Sequence, residues 1–320
     1  MENGLRAVRL GLVLGAYPAV LCAACLGWWA LRSQGIDENL AALLAQAAAF
    51  LFIWMLEQVQ PHRHRWQRPH GDRCTDALHF VVSMAISVAV LRFLRATLAP
   101  LLAAQLTRLV HGSASPWIAA AGQTLHSPIS QSLWPHAWPL PLQLVLGLIV
   151  AELGGYVSHR AMHTWNRLWP FHATHHSALR LYFLNASRNH PIDMLISVVA
   201  TFLPLVFLGM NDAAFALFSV FTSTHLLLQH SNIEQRTGPL NWVFSTAEVH
   251  RWHHSRRRQE ADANYGQVLL IWDVLFGTRR VPQVLPPPVD VGFDGDAGYP
   301  QGYLGQLIEP FCERERSPLH

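Results

Sequence analysis

The sequence predicts an all-α, polytopic membrane bundle: about four spanning helices plus a hairpin pair, with a cytoplasmic helical cap. Three observations carry this reading. Of the 320 residues, 51% are hydrophobic and only 13% charged, where an ordinary globular chain is about 25% charged. Six apolar runs divide the chain, the longer ones near the ~20 residues that a bilayer-crossing helix needs. The polar chemistry is gathered at the ends of those runs.

Residues 8–31 form the first run, with Trp28 and Trp29 near its end. It exceeds a signal-peptide core in length, so cleavage is not expected. Residues 39–58 form the second. Residues 77–91 begin a third, complicated by Arg92 and Arg95 and continuing obliquely to about Leu106. Residues 138–157 form the fourth. The runs 192–209 and 213–229 are joined by Gly209-Met210-Asn211-Asp212, a plausible turn. The Pro-rich stretch from Pro282 to Pro288 opens a loosely packed tail. The expected units are 1–135 (N-terminal membrane helices and an extracytoplasmic segment), 136–280 (catalytic) and 281–320 (tail).

Arginine placement sets the orientation. Arg6 and Arg9 precede the first run, and Arg63, Arg65, Arg68 and Arg73 crowd the loop after the second. Segment 107–137 carries only Arg108. The N-terminus and the 59–76 loop therefore face the cytoplasm. The fourth run returns there, and the hairpin goes out and back. His159–His190 and His230–His254 then emerge on one side, as a shared site requires. The expected setting is a bacterial inner membrane, multi-pass, with the site on the cytoplasmic face.

A formal charge of +3 gives no case for a nucleic-acid partner. Cys22 and Cys25 lie in an apolar run and read as small membrane-helix residues rather than a redox pair. Histidine is the abnormal residue: 19 copies, patterned into groups. His159 and His163 form an H-x-x-x-H, one turn apart on one helix face. His172, His175 and His176 form an H-x-x-H-H just after Pro170, which suits a helix start. His250, His253 and His254 repeat that pattern. Eight imidazoles exceed the four that a tetrahedral zinc takes, which points to two metals. Imidazole also suits zinc, copper and nickel, so ligand type alone does not choose iron. His230, at the end of the sixth run, is a ninth ligand candidate, with His190 and His225 as possible additions. Isolated histidines (His62, His64, His70, His79, His111, His126, His136 and His320) read as structural or surface residues.

The ordered boxes, with Asn189-His190-Pro191, His230-Ser231-Asn232, Glu248 through Ser255, Asn264-Tyr265-Gly266 and Trp272 through Thr278, resemble the fatty acid hydroxylase/sterol desaturase superfamily over roughly residues 140–280. The resemblance implies a di-iron centre on the box histidines, with zinc a possible substitute. It implies O₂-dependent hydroxylation or desaturation of a membrane lipid: a fatty acyl chain, a sterol-like or polycyclic lipid, a carotenoid or an ether lipid. It also implies electrons from a separate reductase or carrier protein. The chain shows no dinucleotide-binding glycine pattern and no haem domain, which agrees with an external donor. Glu248, Asp262 and Asp273 are candidates for orienting ring N–H groups, and Asn264 and Trp272 for buttressing them. Arg180, Arg188 and Arg256-Arg257-Arg258 are candidates for lipid head groups or plain surface charge.

Three alternatives stand beside this reading, one of them a catalytically inactive family member kept as a scaffold, against which the intact histidine boxes count. A metal-handling membrane protein would place its site near the bilayer midplane, whereas these groups lie at the ends of apolar runs. A zinc-dependent membrane hydrolase would need a general base, as in H-E-x-x-H, which is absent.

Overall fold

The computed structural model describes residues 2–98, 100–101, 133–282, 288, 290–294 and 297–312. The long helices are α1 (Glu2–Ser33), α2 (Glu38–Val59), α3 (Arg73–Phe93) and α4 (Leu140–Thr164). A short α5 (Trp169–His176) precedes the hairpin of α6 (Pro191–Leu208) and α7 (Asp212–His230). Four short helices follow: α8 (Ala247–His253), α9 (Arg258–Ala261), α10 (Ile271–Leu275) and α11 (Tyr303–Ile308). The limits of the third run beyond residue 101, His111, His126, His320 and most of segment 107–137 lie outside the described residues.

The helix ends follow local chemistry. The Asp37 carboxylate caps α2 by accepting the amides of Asn39 and Leu40 at 3.0 and 3.1 Å. Pro141, Pro170 and Pro191 occupy the first turns of α4, α5 and α6, where a missing N–H costs nothing. At the hairpin, Gly209 takes φ 81°, a left-handed cap that a side chain would strain. Asn211 then caps α7 through the Ala214 amide.

Helices α1 to α4 and α6 are each long and apolar enough to cross a membrane. Their outward faces are apolar: Leu43, Leu51, Val81 and Leu142 are all more than half exposed. α7 sits centrally against α1, α2 and α4; α4 packs on α6, and α6 on α3. The α4–α6 contact is the closest. A Cβ on Gly154 would stand 1.9 Å from the Ala200 carbonyl oxygen, so only glycine permits this approach.

The hairpin brings the end of α7 back to the end of α4 from which α5 leads. The box-bearing segments therefore meet at one end of the bundle; α7, the second arm of the hairpin, is not among the described helices long and apolar enough to cross a membrane. The tail is tighter than expected in its described part. Val291 packs with Trp66 and Leu181, Tyr299 bonds Thr174, and fully buried Gln306 bonds His79. The proline run gives way to side chains that find buried partners over α3 and α5.

Candidate metal centre

α4 continues past its apolar run and carries His159 and His163 on its buried face. α5 supplies His172, His175 and His176; the last turn of α7 supplies His230; and α8 with its cap residue supplies His250, His253 and His254. These nine side chains gather in two groups. His159, His163, His172, His176 and His253 form one, and His175, His230, His250 and His254 the other. Within each group the ring nitrogens lie within 4.8 Å of one another. Every ring is buried, the most exposed at 7%.

The H-x-x-H-H pattern acquires a geometric meaning here. Adjacent residues on a helix point about 100° apart. Each His-His pair is split between the groups: His176 and His253 turn to the first, His175 and His254 to the second.

The rings are oriented from outside. His159 Nδ1 donates to the Tyr265 carbonyl at 2.7 Å, and His253 Nδ1 to the Ala263 carbonyl at 2.9 Å. His172 Nδ1 donates to the Asp193 carboxylate at 2.9 Å, and His163 Nδ1 to Asp262 at 3.1 Å. His175 Nδ1 donates to the Arg188 carbonyl at 3.3 Å, and His230 Nδ1 to the Leu226 carbonyl at 3.1 Å. These bonds fix the tautomer and leave Nε2 as a lone pair. Yet His159 Nε2 faces His172 Nε2 at 3.1 Å, and His175 Nε2 faces His230 Nε2 at 3.3 Å. Two lone pairs at that distance repel; a cation coordinated by both relieves the repulsion. Nε2 of His163 and His253 is buried with no hydrogen-bond partner, a costly state that a metal ion also removes.

Protonation offers no escape. Burial, then neighbouring rings of the same potential charge, hold His175, His176, His250 and His254 well below the ordinary histidine range. His253 is pushed down to about 3, chiefly by burial. Neutral rings are what metal ligation requires.

A carbonyl platform stands behind the first group. Asn264 takes φ 55° and is tied by its side chain to Arg280. A Cβ on Gly266 would stand 2.3 Å from the Leu269 carbonyl. Asp273 accepts the Tyr265 and Gly266 amides at 2.9 and 2.7 Å. Glu152, buried on α4, accepts the amides of Gln267, Val268 and Leu269. The Asn264-Tyr265-Gly266 segment thus presents the carbonyl that orients His159. On the second group, Glu57 accepts the Phe183 and Asn232 amides at 2.9 and 2.7 Å and holds the turn after His230.

Several expected residues stand elsewhere. His190 caps α6 by accepting the Ile192 amide at 3.1 Å and bonds the Leu307 carbonyl through Nε2. His225 lies on another face of α7 and meets the Tyr17 hydroxyl at 2.8 Å. Neither joins a group. Of the three acids expected behind the rings, Asp262 alone bonds one. Glu248 instead accepts from Thr237 and Asn241, and Asp273 acts through the backbone. Asp193, Glu152 and Glu57 went unsignalled, although an acid inside an apolar run is itself a signal. Arg180 and Arg188 are 2% and 1% exposed and turn to Asp72 and Asp76 rather than to head groups. Their neighbouring acids come from the residue before α3 and from its first turn, which sequence spacing does not reveal.

A cavity of about 850 Å³ runs from His159, His172, His175, His230 and His250 down between α2, α3, α4, α6 and α7. Its size falls within the ~300–1,000 Å³ of small-molecule sites.

Comparison with known proteins places this architecture. A family model for fatty acid hydroxylases matches residues 144–278. An ornithine lipid hydroxylase of Rhizobium tropici is 34% identical over 95% of this chain and 85% of its own length. The human alkylglycerol monooxygenase is 31% identical over 44% of this chain, which spans only 31% of that longer protein. A sphinganine C4-monooxygenase of Arabidopsis thaliana is 26% identical over 48% of this chain and 60% of its own length. No solved structure matches the chain. The bundle, the paired histidine groups and these relatives define a class, the membrane lipid hydroxylases, which are oxidoreductases. The chain belongs to the fatty acid hydroxylase family.

Proposed function

We propose that the chain hydroxylates a membrane lipid with O₂ at two iron ions. His159, His163, His172, His176 and His253 would hold one ion, and His175, His230, His250 and His254 the other. The observation that carries this is the opposition of unprotonated Nε2 atoms across 3.1 and 3.3 Å in dry surroundings. Bound there, redox-active iron supplies what imidazoles lack, the activation of O₂.

The balance is R–H + O₂ + 2 e⁻ + 2 H⁺ giving R–OH + H₂O. The electrons come from a separate carrier protein or reductase. The protein positions one C–H bond at the head of the cavity and excludes bulk water from it. Asp193, Asp262 and the carbonyls of Tyr265, Ala263, Arg188 and Leu226 hold the rings in one tautomer. The histidine end faces the cytoplasm of a bacterial inner membrane, in agreement with the arginine-rich loop beside it. An ornithine-type lipid is the first substrate to test, because a relative matching nearly the whole chain is named for that activity.

The test is metal analysis of purified protein, O₂ uptake under a chemical reductant, and mass analysis of added ornithine lipid. Two irons per chain with a product one oxygen atom heavier supports the reading. A single zinc with no uptake overturns it and favours a hydrolase or a metal-handling protein.

A further inference from the structure

The cavity has a side opening. α2 packs on α1 and α7, and α3 on α6, but α2 and α3 do not pack closely on each other. Between them lies a slot. Leu43 and Leu51 on α2, and Met84 and Val88 on α3, line the cavity and are also 45–58% exposed. A residue that faces both the interior and the outside marks a mouth. This mouth lies in the apolar band, where the surroundings are hydrocarbon. At the histidine end the slot is closed by Phe50, which meets Phe80 and Phe183 with ring centroids 5.6 and 4.8 Å away.

The channel behind the mouth suits a hydrocarbon. It follows α7 from His230 to Phe215, a rise of about 22 Å at ~1.5 Å per residue. Several of its hydroxyls already have partners: Ser87 donates to the Ser83 carbonyl, Thr222 to Phe218 and Ser223 to Val220. Gln46 crosses to Ser219 at 3.3 Å. A chain lying there strips no donor of its partner, so the cost of desolvating polar groups is avoided.

We propose that the α2–α3 slot is a lateral portal and binding channel for one hydrocarbon chain of a bilayer lipid. The occupant is an acyl chain drawn sideways from the surrounding leaflet, with its path ending at the histidine groups. This rests on the lipid-hydroxylase reading for its purpose, but not for its test.

Full-length protein is placed in phosphatidylcholine vesicles containing a phosphatidylcholine with a diazirine on one acyl chain. After photolysis, crosslinks are mapped by mass spectrometry. The expected result is labelling of buried channel residues such as Val198, Ala151 and Leu227. Ala47 is exposed and lines the channel, whereas its exposed neighbour Ala48 does not. Ala47→Trp should therefore lose the interior labels, and Ala48→Trp should keep them. Met84→Trp repeats the block from the other side if Ala47→Trp does not fold. Labels confined to outward residues such as Leu44 and Leu142, or interior labels that survive both blocks, overturn the portal. Labelling needs neither metal nor turnover. Interior labels in a protein that oxidises no lipid remove the hydroxylase reading and leave the channel. Lipid-dependent O₂ uptake without interior labels does the reverse.

Discussion

The two histidine groups share a residue type but differ in what stands behind it. In the five-histidine group, two rings lean on carboxylates, Asp193 and Asp262, and two on the backbone carbonyls of a braced loop. In the four-histidine group, two rings lean on carbonyls alone, and His250 Nδ1 is buried without a partner. A carboxylate behind an imidazole raises its basicity as a ligand. The groups should therefore differ in affinity: the first the tighter holder, the second the one with fewer donors and more room for a further ligand.

The most severe way to break that contrast is His254→Ala. It should abolish turnover and lower the bound metal toward what the five-histidine group alone holds; equal loss from both groups would erase the distinction. Next is Asp193→Asn, which should weaken metal binding by about 10–100-fold, read by competition with a chelator. Asp262→Asn should cost less, because Asp262 is 29% exposed and shared with Arg258 at 2.8 Å. If the two variants behave alike, burial of the carboxylate is not what matters.

Gly154→Ala probes the frame. Forcing α4 from α6 should cost about 1–3 kcal/mol by overpacking. It should also loosen the five-histidine group first, since α4 carries His159 and His163 and α6 carries Asp193. Thermal unfolding and metal content check both parts. The smallest expected effect is on pH. His253 falls from its ordinary 6.5 to about 3 in the folded state. Between those values the unfolded chain binds the extra proton. Stability is therefore full above 6.5 and is lost progressively as pH falls toward 3. Tm of metal-free protein measured across that window should decline, and a flat profile would contradict it.

Much of this was readable from residue order. Each of the six apolar runs coincides with a helix, because hydropathy marks such segments; the second, fifth and sixth agree within one residue at each end, whereas α1 begins six residues before its run, α4 continues seven beyond its own, and the third run's extension beyond residue 101 toward Leu106 lies outside the described residues. All nine histidines picked out by spacing and membrane depth lie in the two groups. Which neighbour in His175-His176 turns to which group was not readable, since that depends on how α5 is rolled against α8. His190 had the right depth and instead caps α6, while His225, five residues back along α7 from His230, turns to Tyr17. Asp193, Glu152 and Glu57 carry only the signal of an acid in an apolar run, which marks a residue for attention but names no partner. Asp193 reaches back 21 residues to His172, Glu152 reaches on 115 to 117 residues to the Gln267, Val268 and Leu269 amides, and Glu57 reaches on 126 and 175 residues to the Phe183 and Asn232 amides; long-range partners leave no periodic trace.

The split of each His-His pair has a mechanical consequence. Two peptide units, one on α5 and one after α8, tie a donor of one proposed centre to a donor of the other. Neighbouring Cα atoms are held ~3.8 Å apart by covalent bonds, so each peptide unit tethers the two groups to each other, and the packing of α5 against α8 then sets their spacing. Seating the first ion pins one half of both tethers and presents the other half already aimed. The four-histidine group should then bind its ion more tightly once the five-histidine group is filled, and a stepwise metal titration should show the second step strengthened relative to a variant whose first group is disabled.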